Sequence, residues 1–158
     1  MSSSGDEQLL LEEQACFALY AASRAVTDVY RPLLADLGLT YPQYLVLLVL
    51  WERDSQPVKD IAEALQLDYG TISPLLKRLE VNGLVTRHRL ASDERSVSIS
   101  LTEKGTSLRA RATALPSVIG CALGLDNAGR RELVRSLKVL TSSALASRNP
   151  QEAQNDKP

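Results

Sequence analysis

The feature that most constrains the fold is a change of hydrophobic period between residues 58 and 101. Apolar side chains first recur every three or four positions, which predicts two short amphipathic helices. A tight turn near Leu67–Asp68 separates them, and Gly83 follows the second helix. The stretches VTRHR and SVSIS then alternate, which predicts a short β-hairpin. The two helical stripes are Val58, Ile61, Ala62 and Leu65, then Ile72, Leu75, Leu76 and Leu79.

The start of the second helix depends on Pro74. Asp68 or Thr71 can cap this helix, because both side chains accept hydrogen bonds from backbone N–H groups. Proline is tolerated only in the first turn of a helix. We therefore expect the helix to begin near Thr71.

Helical patterns also precede this region. Residues 8–30 predict one long helix that Pro32 ends or kinks. The stretch YPQYLVLLVLWE, residues 41–52, is almost entirely apolar and predicts a helix buried on most sides. Two short helices and a hairpin after such a helix predict a winged helix-turn-helix over residues 41–101.

Two further helices are predicted after the hairpin. Thr102 is expected to cap a helix that is interrupted at Pro116 and ends near Gly124, and Asp126 is expected to cap the last one. An apolar stripe runs along the last helix and consists of Leu133, Val134, Leu137, Leu140 and Ala144.

The predicted fold class is mainly α with a small β-hairpin. We expect a single domain over residues 1–158, with a winged helix-turn-helix at 41–101. The terminal helices, 8–37 and 103–147, carry more apolar surface than a small winged domain needs, so we expect them to form a homodimer. The polar segment 148–158 is expected to be disordered.

The second predicted helix and the hairpin present groups suited to DNA. The net charge of the whole chain is only -1, but residues 74–95 carry five Lys or Arg and three acids, whereas residues 1–20 carry four acids and no base. A solvated charged face is the alternative for an isolated helix. Candidate DNA contacts are Thr71, Ser73, Pro74, Lys77, Arg78, Arg87, Arg89 and Arg95.

Other functional classes find little support in the composition. One His and two Cys give no credible zinc site, and neither a Gly-rich phosphate loop nor a nucleophile–base arrangement is visible. We expect no cofactor, no metal and no enzymatic activity. No apolar run approaches the roughly 20 residues that span a bilayer, and MSSSGDEQ does not read as a signal peptide. A cytoplasmic protein is expected.

The hairpin region resembles a known family. The segment DERSVSISLTEKG, following LLKRLEVNGLVTR, is similar to the wing of the MarR family of dimeric bacterial repressors. The resemblance implies binding to double-stranded operator DNA. It also implies that Arg95 reaches a minor groove and that Asp93 holds it.

Cys16 has no obvious activating neighbour in the sequence. The predicted long helix places it more than two turns from the helix start, where the dipole has little effect. Glu12 and Glu13 are near it and oppose a thiolate. From these residues alone, an inert buried cysteine is the simpler interpretation.

A closer resemblance gives Cys16 a role. The stretch from QACFALYAASR to LVLLVLWE looks like the branch of the MarR family that senses organic hydroperoxides, the OhrR-type repressors. It implies that Cys16 is oxidised by organic hydroperoxides and that Tyr30 and Tyr41 hydrogen-bond the sulfur. Tyr30 lies about 21 Å along the helix from Cys16, so it would serve the cysteine of a partner. Cys121 matches the resolving cysteine of the two-cysteine subclass, which forms an intersubunit disulfide.

Several alternatives remain open from the sequence. Phe17 and Tyr20 are candidates for a peroxide pocket, while Tyr30, Tyr41 and Cys121 could be ordinary packing residues. A MarR-type repressor that responds to a small aromatic ligand, with inert cysteines, is the first rival function. A thiol peroxidase is a second rival, but no thioredoxin-like βαβ pattern accompanies Cys16.

Overall fold

The computed structural model describes residues 9–90 and 93–148, apart from the side chains of residues 90, 93–96 and 148. Its helices are a 3-10 turn, Leu11–Glu13, then α1 Ala15–Ala35, α2 Tyr41–Glu52, α3 Val58–Leu65, α4 Tyr69–Val81, α5 Glu103–Ala112, α6 Leu115–Ala122 and α7 Asn127–Arg148. Its strands are β1 Gln56–Pro57, β2 Val85–Leu90 and β3 Asp93–Leu101.

The chain forms two compact units, Met1–Leu115 and Pro116–Pro158. The first unit contains the helix-turn-helix, the hairpin and a continuous hydrophobic core, and the mainly α fold with a small antiparallel hairpin is confirmed. The predicted dimerisation roles of 8–37 and 103–147 stay predictions, and the tail from residue 149 lies outside the described part. The largest fully buried side chains are Leu34, Val46, Leu47, Leu50, Ile61, Ile72, Leu76, Leu79, Val85 and Ile99.

Helix α2 is the central helix of this core, as its apolar sequence predicts. It begins with a capping box, in which the Thr40 backbone N–H donates to Gln43 Oε1 over 2.9 Å. Near its end, Trp51 Nε1 donates to the carbonyl of Gly105 in α5 over 2.9 Å. A Cβ at Gly105 would lie 2.1 Å from the Leu84 carbonyl oxygen, so only glycine lets α5 approach this closely.

The helix-turn-helix is confirmed, but its second helix begins earlier than expected. Helix α3 ends at Leu65, and the left-handed φ of 54° at the following residue, Gln66, turns the chain. Asp68 caps α4, which begins at Tyr69 rather than near Thr71. Pro74 therefore lies in the second turn of α4. The helix tolerates it there at the cost of one backbone hydrogen bond, because Pro74 has no N–H to donate.

The hairpin is part of a three-stranded sheet with the order β1-β3-β2. Strands β2 and β3 pair antiparallel with Val85 opposite Leu101, as the alternating pattern predicts. The two-residue strand β1 was not predicted, because it is too short to show a period. Gln56 on β1 is opposite Ile99, and its buried amide donates to the Val49 carbonyl near the end of α2 over 3.1 Å.

The second unit begins at Pro116, where the sequence predicts an interruption of a helix. The predicted interruption is real, but the chain leaves the helix after Ala112, and Pro116 lies in the first turn of α6, where proline is favourable. Gly124 ends this segment with a φ of 63°. Asp126 caps α7 by accepting the Gly129 N–H at 2.7 Å, as predicted.

Candidate functional site: a DNA-binding face and an exposed thiol

One face of α4 is built for contact outside the chain. Ile72, Leu76 and Leu79 are fully buried, so α4 is fixed on the core by one side. The predicted contact residues lie on the remaining surface: Thr71, Pro74, Lys77 and Arg78 are exposed, and Ser73 is half-buried. The division of faces that the sequence predicts is confirmed, and contact with DNA remains a prediction.

Thr71 is held in place by the capping residue. Its backbone N–H donates to Asp68 Oδ1 over 2.8 Å, and its Oγ1 donates to Asp68 Oδ2 over 3.0 Å. These two hydrogen bonds, the backbone one first, lower the pKa of the Asp68 carboxyl. Since the hydroxyl proton of Thr71 is committed to Asp68, its oxygen is available mainly as an acceptor, for example for a base amino group.

Tyr69 was missed by the sequence reasoning. It is the first residue of α4 and is 68% exposed. The N-terminal residues of a recognition helix are the ones that reach base edges. The available signal was an aromatic residue directly after the capping Asp68.

The wing arginines have different environments. Arg89 is exposed, whereas Arg87 Nε lies 3.2 Å from Glu80 Oε2 of α4. The structure therefore commits the Arg87 guanidinium to an intramolecular contact, and its predicted DNA contact stays untested. Asp93 and Arg95 lie on β3, but their side chains are outside the described part of the structure.

Cys16 lies at a helix start, which corrects the predicted long helix. The 3-10 turn ends at Glu13, Gln14 is extended with φ -85° and ψ 104°, and α1 begins at Ala15. Cys16 is therefore the second residue of α1 and lies in its first turn. The backbone N–H groups of a first turn lack acceptors within the helix and can donate hydrogen bonds to other groups. Pro32 does not end α1 either, since the helix continues to Ala35.

The surroundings of Cys16 are exposed in the single chain. Its thiol is exposed, and the neighbouring rings of Phe17 and Tyr20 are 42% and 60% exposed. The Arg24 guanidinium lies 5.5 Å from the centroid of the Tyr20 ring, a cation–π distance. The exposed rings beside the Cys16 thiol are thus available to a ligand or to a second chain.

The two predicted thiol-binding tyrosines contact each other. The rings of Tyr30 and Tyr41 have centroids 4.8 Å apart, and Tyr44, which the sequence reasoning missed, is 5.9 Å from Tyr30. Burial, followed by the neighbouring Tyr41 and Tyr44, raises the pKa of Tyr30 to about 12. Burial also raises the pKa of Tyr41 and of Tyr44. Their hydroxyls therefore remain protonated donors at neutral pH.

Cys121 belongs to the second compact unit. Its thiol is exposed, and it is the penultimate residue of α6. The Gly124 N–H donates to its carbonyl over 3.0 Å, which is part of the helix end. Cys121 therefore lies at the end of its helix, whereas Cys16 lies at the start of α1.

In the described ranges 9–90 and 93–148, no three His, Cys, Asp or Glu side chains gather as a metal site requires. Over the same residues, no helix is both long and apolar enough to cross a bilayer.

A helix-turn-helix followed by an antiparallel wing defines the winged-helix class of transcriptional regulators. Residues 28–111 match a family described as the transcriptional regulator SarA/Rot. The organic hydroperoxide resistance transcriptional regulator of Bacillus subtilis (strain 168) is 50% identical over 127 residues, covering 80% of this chain and 84% of that protein.

Solved structures give the same result. The structure of reduced AbfR bound to DNA is 38% identical with a TM-score of 0.70, and it covers 86% of this chain and 97% of that one. Disulfide-formed AbfR is also 38% identical, with a TM-score of 0.61, covering 89% and 99%; AbfR is from Staphylococcus epidermidis. The chain belongs to the MarR family of transcriptional regulators, in its OhrR-type branch.

Proposed function

We propose that this chain is a homodimeric, DNA-binding repressor that organic hydroperoxides inactivate through Cys16. The observation that carries the proposal is the exposed thiol of Cys16 in the first turn of α1, beside the exposed rings of Phe17 and Tyr20. The hydroperoxide resistance regulator of B. subtilis and the DNA-bound AbfR support the signal and the target.

The first chemical step is attack of the Cys16 thiolate on the peroxide. The sulfur takes the terminal oxygen of ROOH, the O–O bond breaks, and the alkoxide leaves as ROH after taking up a proton. Cys16 is oxidised to a sulfenic acid and the hydroperoxide is reduced to the alcohol. Tyr30 and Tyr41 of the partner chain would donate hydrogen bonds to the sulfur, because their hydroxyls keep their protons. Phe17 and Tyr20 would contact the organic group.

The second step makes the change persistent. The thiol of Cys121 in the partner attacks the sulfenic sulfur, an S–S bond forms, and water leaves. Disulfide-formed AbfR provides a precedent for a disulfide state in this family. Each Cys16 would consume one hydroperoxide and then stop, so the protein acts as a sensor without catalytic turnover.

The dimer is proposed from exposed apolar side chains. Helix α1 exposes Phe17, Leu19 and Tyr20. In the second unit, α7 exposes Leu133, Val134, Leu137 and Leu140. Surfaces of this kind are rarely left open to water, and a two-fold dimer would cover them.

The two cysteines are tested by single substitutions in parallel gels. Reduced Cys16→Ser should bind DNA and keep binding after cumene hydroperoxide, because a hydroxyl is not oxidised under these conditions. Cys121→Ser should still form a sulfenic acid but no covalent dimer, and should overoxidise more readily. On a nonreducing gel only the wild type should become a covalent dimer. Mixed heterodimers of the two variants should regain one crosslink.

Two outcomes would overturn parts of this proposal. A wild-type disulfide within one chain would contradict the intersubunit step. A Cys16→Ser protein that still releases DNA on peroxide treatment would contradict the sensor assignment.

One observation favours the ligand-responsive alternative. A groove of about 450 Å³ lies in the first unit, beside the first residue of α4. It is lined by Pro57, Val58, Lys59, Ala62, Glu63, Leu67, Tyr69 and Val97. If Cys16→Ser and Cys121→Ser bind DNA normally and sodium salicylate releases both from it, the ligand-responsive function becomes the leading one, with this groove as a candidate site.

A further inference from the structure

Arg87 connects the wing to the recognition helix α4. Its Nε lies 3.2 Å from Glu80 Oε2, and its Nη2 donates to the carbonyl of Ser73 over 3.4 Å. Ser73 and Glu80 are seven residues apart, which is two helical turns. One guanidinium therefore contacts α4 at two points along one side of the helix.

The ion pair is formed between the 41% exposed side chain of Glu80 and the partly buried side chain of Arg87. The Arg87 side chain is 29% exposed, and its Nε is shielded from solvent without a hydrogen bond in the described part of the chain. The nearby Glu80 carboxylate is therefore what offsets the burial of that atom. A buried cation without such a partner is strongly unfavourable.

The position of Arg87 in β2 shows which part of the wing its contact with α4 holds. Arg87 is opposite the fully buried Ile99 of β3. The next two residues of β2, His88 and Arg89, are exposed. Along β2, the half-buried Arg87 thus directly precedes two exposed positions of the wing.

We propose that Arg87 and Glu80 form a brace that fixes the wing relative to the recognition helix, and that Arg87 is a positioning residue for DNA binding. The inference rests on the proposed DNA-binding function. A recognition helix and a wing contact different parts of one duplex, so holding them at a fixed spacing before binding removes an ordering cost. This role differs from the direct DNA contact predicted for Arg87 from sequence.

Substitution of Glu80 distinguishes a positioning role of Arg87 from a direct DNA contact, because the two roles predict opposite changes in DNA affinity. The probe is a duplex selected by the reduced wild-type protein from a random-sequence library. If Arg87 and Glu80 form the brace, Glu80→Gln should weaken DNA binding about fivefold. This corresponds to the loss of about 1 kcal/mol, as expected for a partly exposed ion pair. Without the brace, removing a negative charge from the DNA-facing helix should tighten binding, and that result would overturn the proposal.

Substitution of Arg87 completes the comparison. Arg87→Gln should weaken binding about as much as Glu80→Gln, and the double variant should be no weaker than Arg87→Gln, because each removes the same interaction. Arg87→Lys should also bind weakly, since a lysine keeps the charge but lacks the fork that reaches both partners. Additive losses, or wild-type affinity in Arg87→Lys, would contradict a brace.

The salt dependence of binding provides the matched control. Arg87→Gln should keep the wild-type slope of log Kd against log salt. Lys77→Gln, from the exposed face of α4, should reduce that slope by about one phosphate contact. A reduced slope in Arg87→Gln would mean that the guanidinium contacts DNA, and would overturn the brace.

A measurement without DNA distinguishes failure of the brace from failure of the proposed function. In the reduced full-length protein, backbone amides of β2 and of residues 97–101 should exchange hydrogen several-fold faster in both Glu80→Gln and Arg87→Gln. Amides of α2 should exchange at the wild-type rate, which excludes general destabilisation. Unchanged exchange in the wing would overturn the brace even if the protein binds DNA as proposed.

Discussion

The winged helix-turn-helix and helix α7 use similar apolar periodicities with opposite results. In the winged region, Ile61, Ile72, Leu76 and Leu79 are completely buried. In α7, whose 22 residues carry a comparable stripe, every described side chain is at least partly exposed. An amphipathic pattern therefore identifies the face of a helix that will be covered, but not whether its own compact unit covers it.

The largest expected effect is on the free energy of unfolding of the winged helix-turn-helix, which has its own hydrophobic core. Leu76→Ala should lower the free energy of unfolding by about 2–5 kcal/mol, because it leaves a cavity in a close-packed interior. Val81→Ala on the same helix, where Val81 is 78% exposed, is the control and should change it little. Urea unfolding at fixed protein concentration measures both. Equal effects would break the distinction between the two faces of α4.

The next effect concerns the apolar stripe of α7, which its own compact unit leaves exposed. Leu137→Asp should weaken the dimer at least tenfold, because a carboxylate would be buried against apolar side chains. The neighbouring exposed Lys138→Ala should leave the dimer intact. Sedimentation at several concentrations measures the dimer constant. A Leu137→Asp protein that remains fully dimeric would place the interface elsewhere.

A smaller effect tests the tyrosine cluster at alkaline pH. The pKa of Tyr30 is raised to about 12 in the folded chain, so the unfolded chain releases this proton first, near pH 10. The contribution of protonated Tyr30 to the free energy of unfolding is therefore fully present below pH 10, and it is lost as the pH rises towards about 12. Tyr30→Phe should reduce this loss, and Tyr20→Phe, outside the cluster, should not. Denaturant unfolding at several alkaline pH values measures the stability. Identical profiles of stability against pH in the wild type, Tyr30→Phe and Tyr20→Phe would show that Tyr30 does not cause the alkaline loss.

The smallest expected effect is at the cap of α4. The lowered pKa of Asp68 means that its contribution to stability is present above about 3.8 and is lost as the pH falls through the lowered value. Asp68→Ala should slightly lower the Tm at pH 7, because it removes the acceptor for the Thr71 N–H. Asp68→Asn keeps an acceptor and should lose less. Thermal melts at pH 7 and pH 3 compare them, and a wild-type Tm in Asp68→Ala would show that the cap is dispensable.

Periodicity predicted the helices and the hairpin because each buries a repeating face. It could not predict β1, where Gln56 and Pro57 are too few to repeat. It also missed the break at Gln14, because neither glycine nor proline marks it, and so placed Cys16 within a helix instead of at its start. The proposed brace joins Arg87 of β2 to Glu80 and Ser73 of α4, 7 and 14 positions earlier. Hydrophobic periodicity describes each element separately, so it gives no sign of this contact between two elements.

The position of Trp51 gives the protein a built-in optical reporter. It is the only tryptophan in the chain, it is buried, and its indole N–H donates to Gly105. Its fluorescence therefore comes from one place, the junction of α2 and α5. A shift of the emission to longer wavelength would record water reaching that junction, without any label and in the same cuvette as an added hydroperoxide.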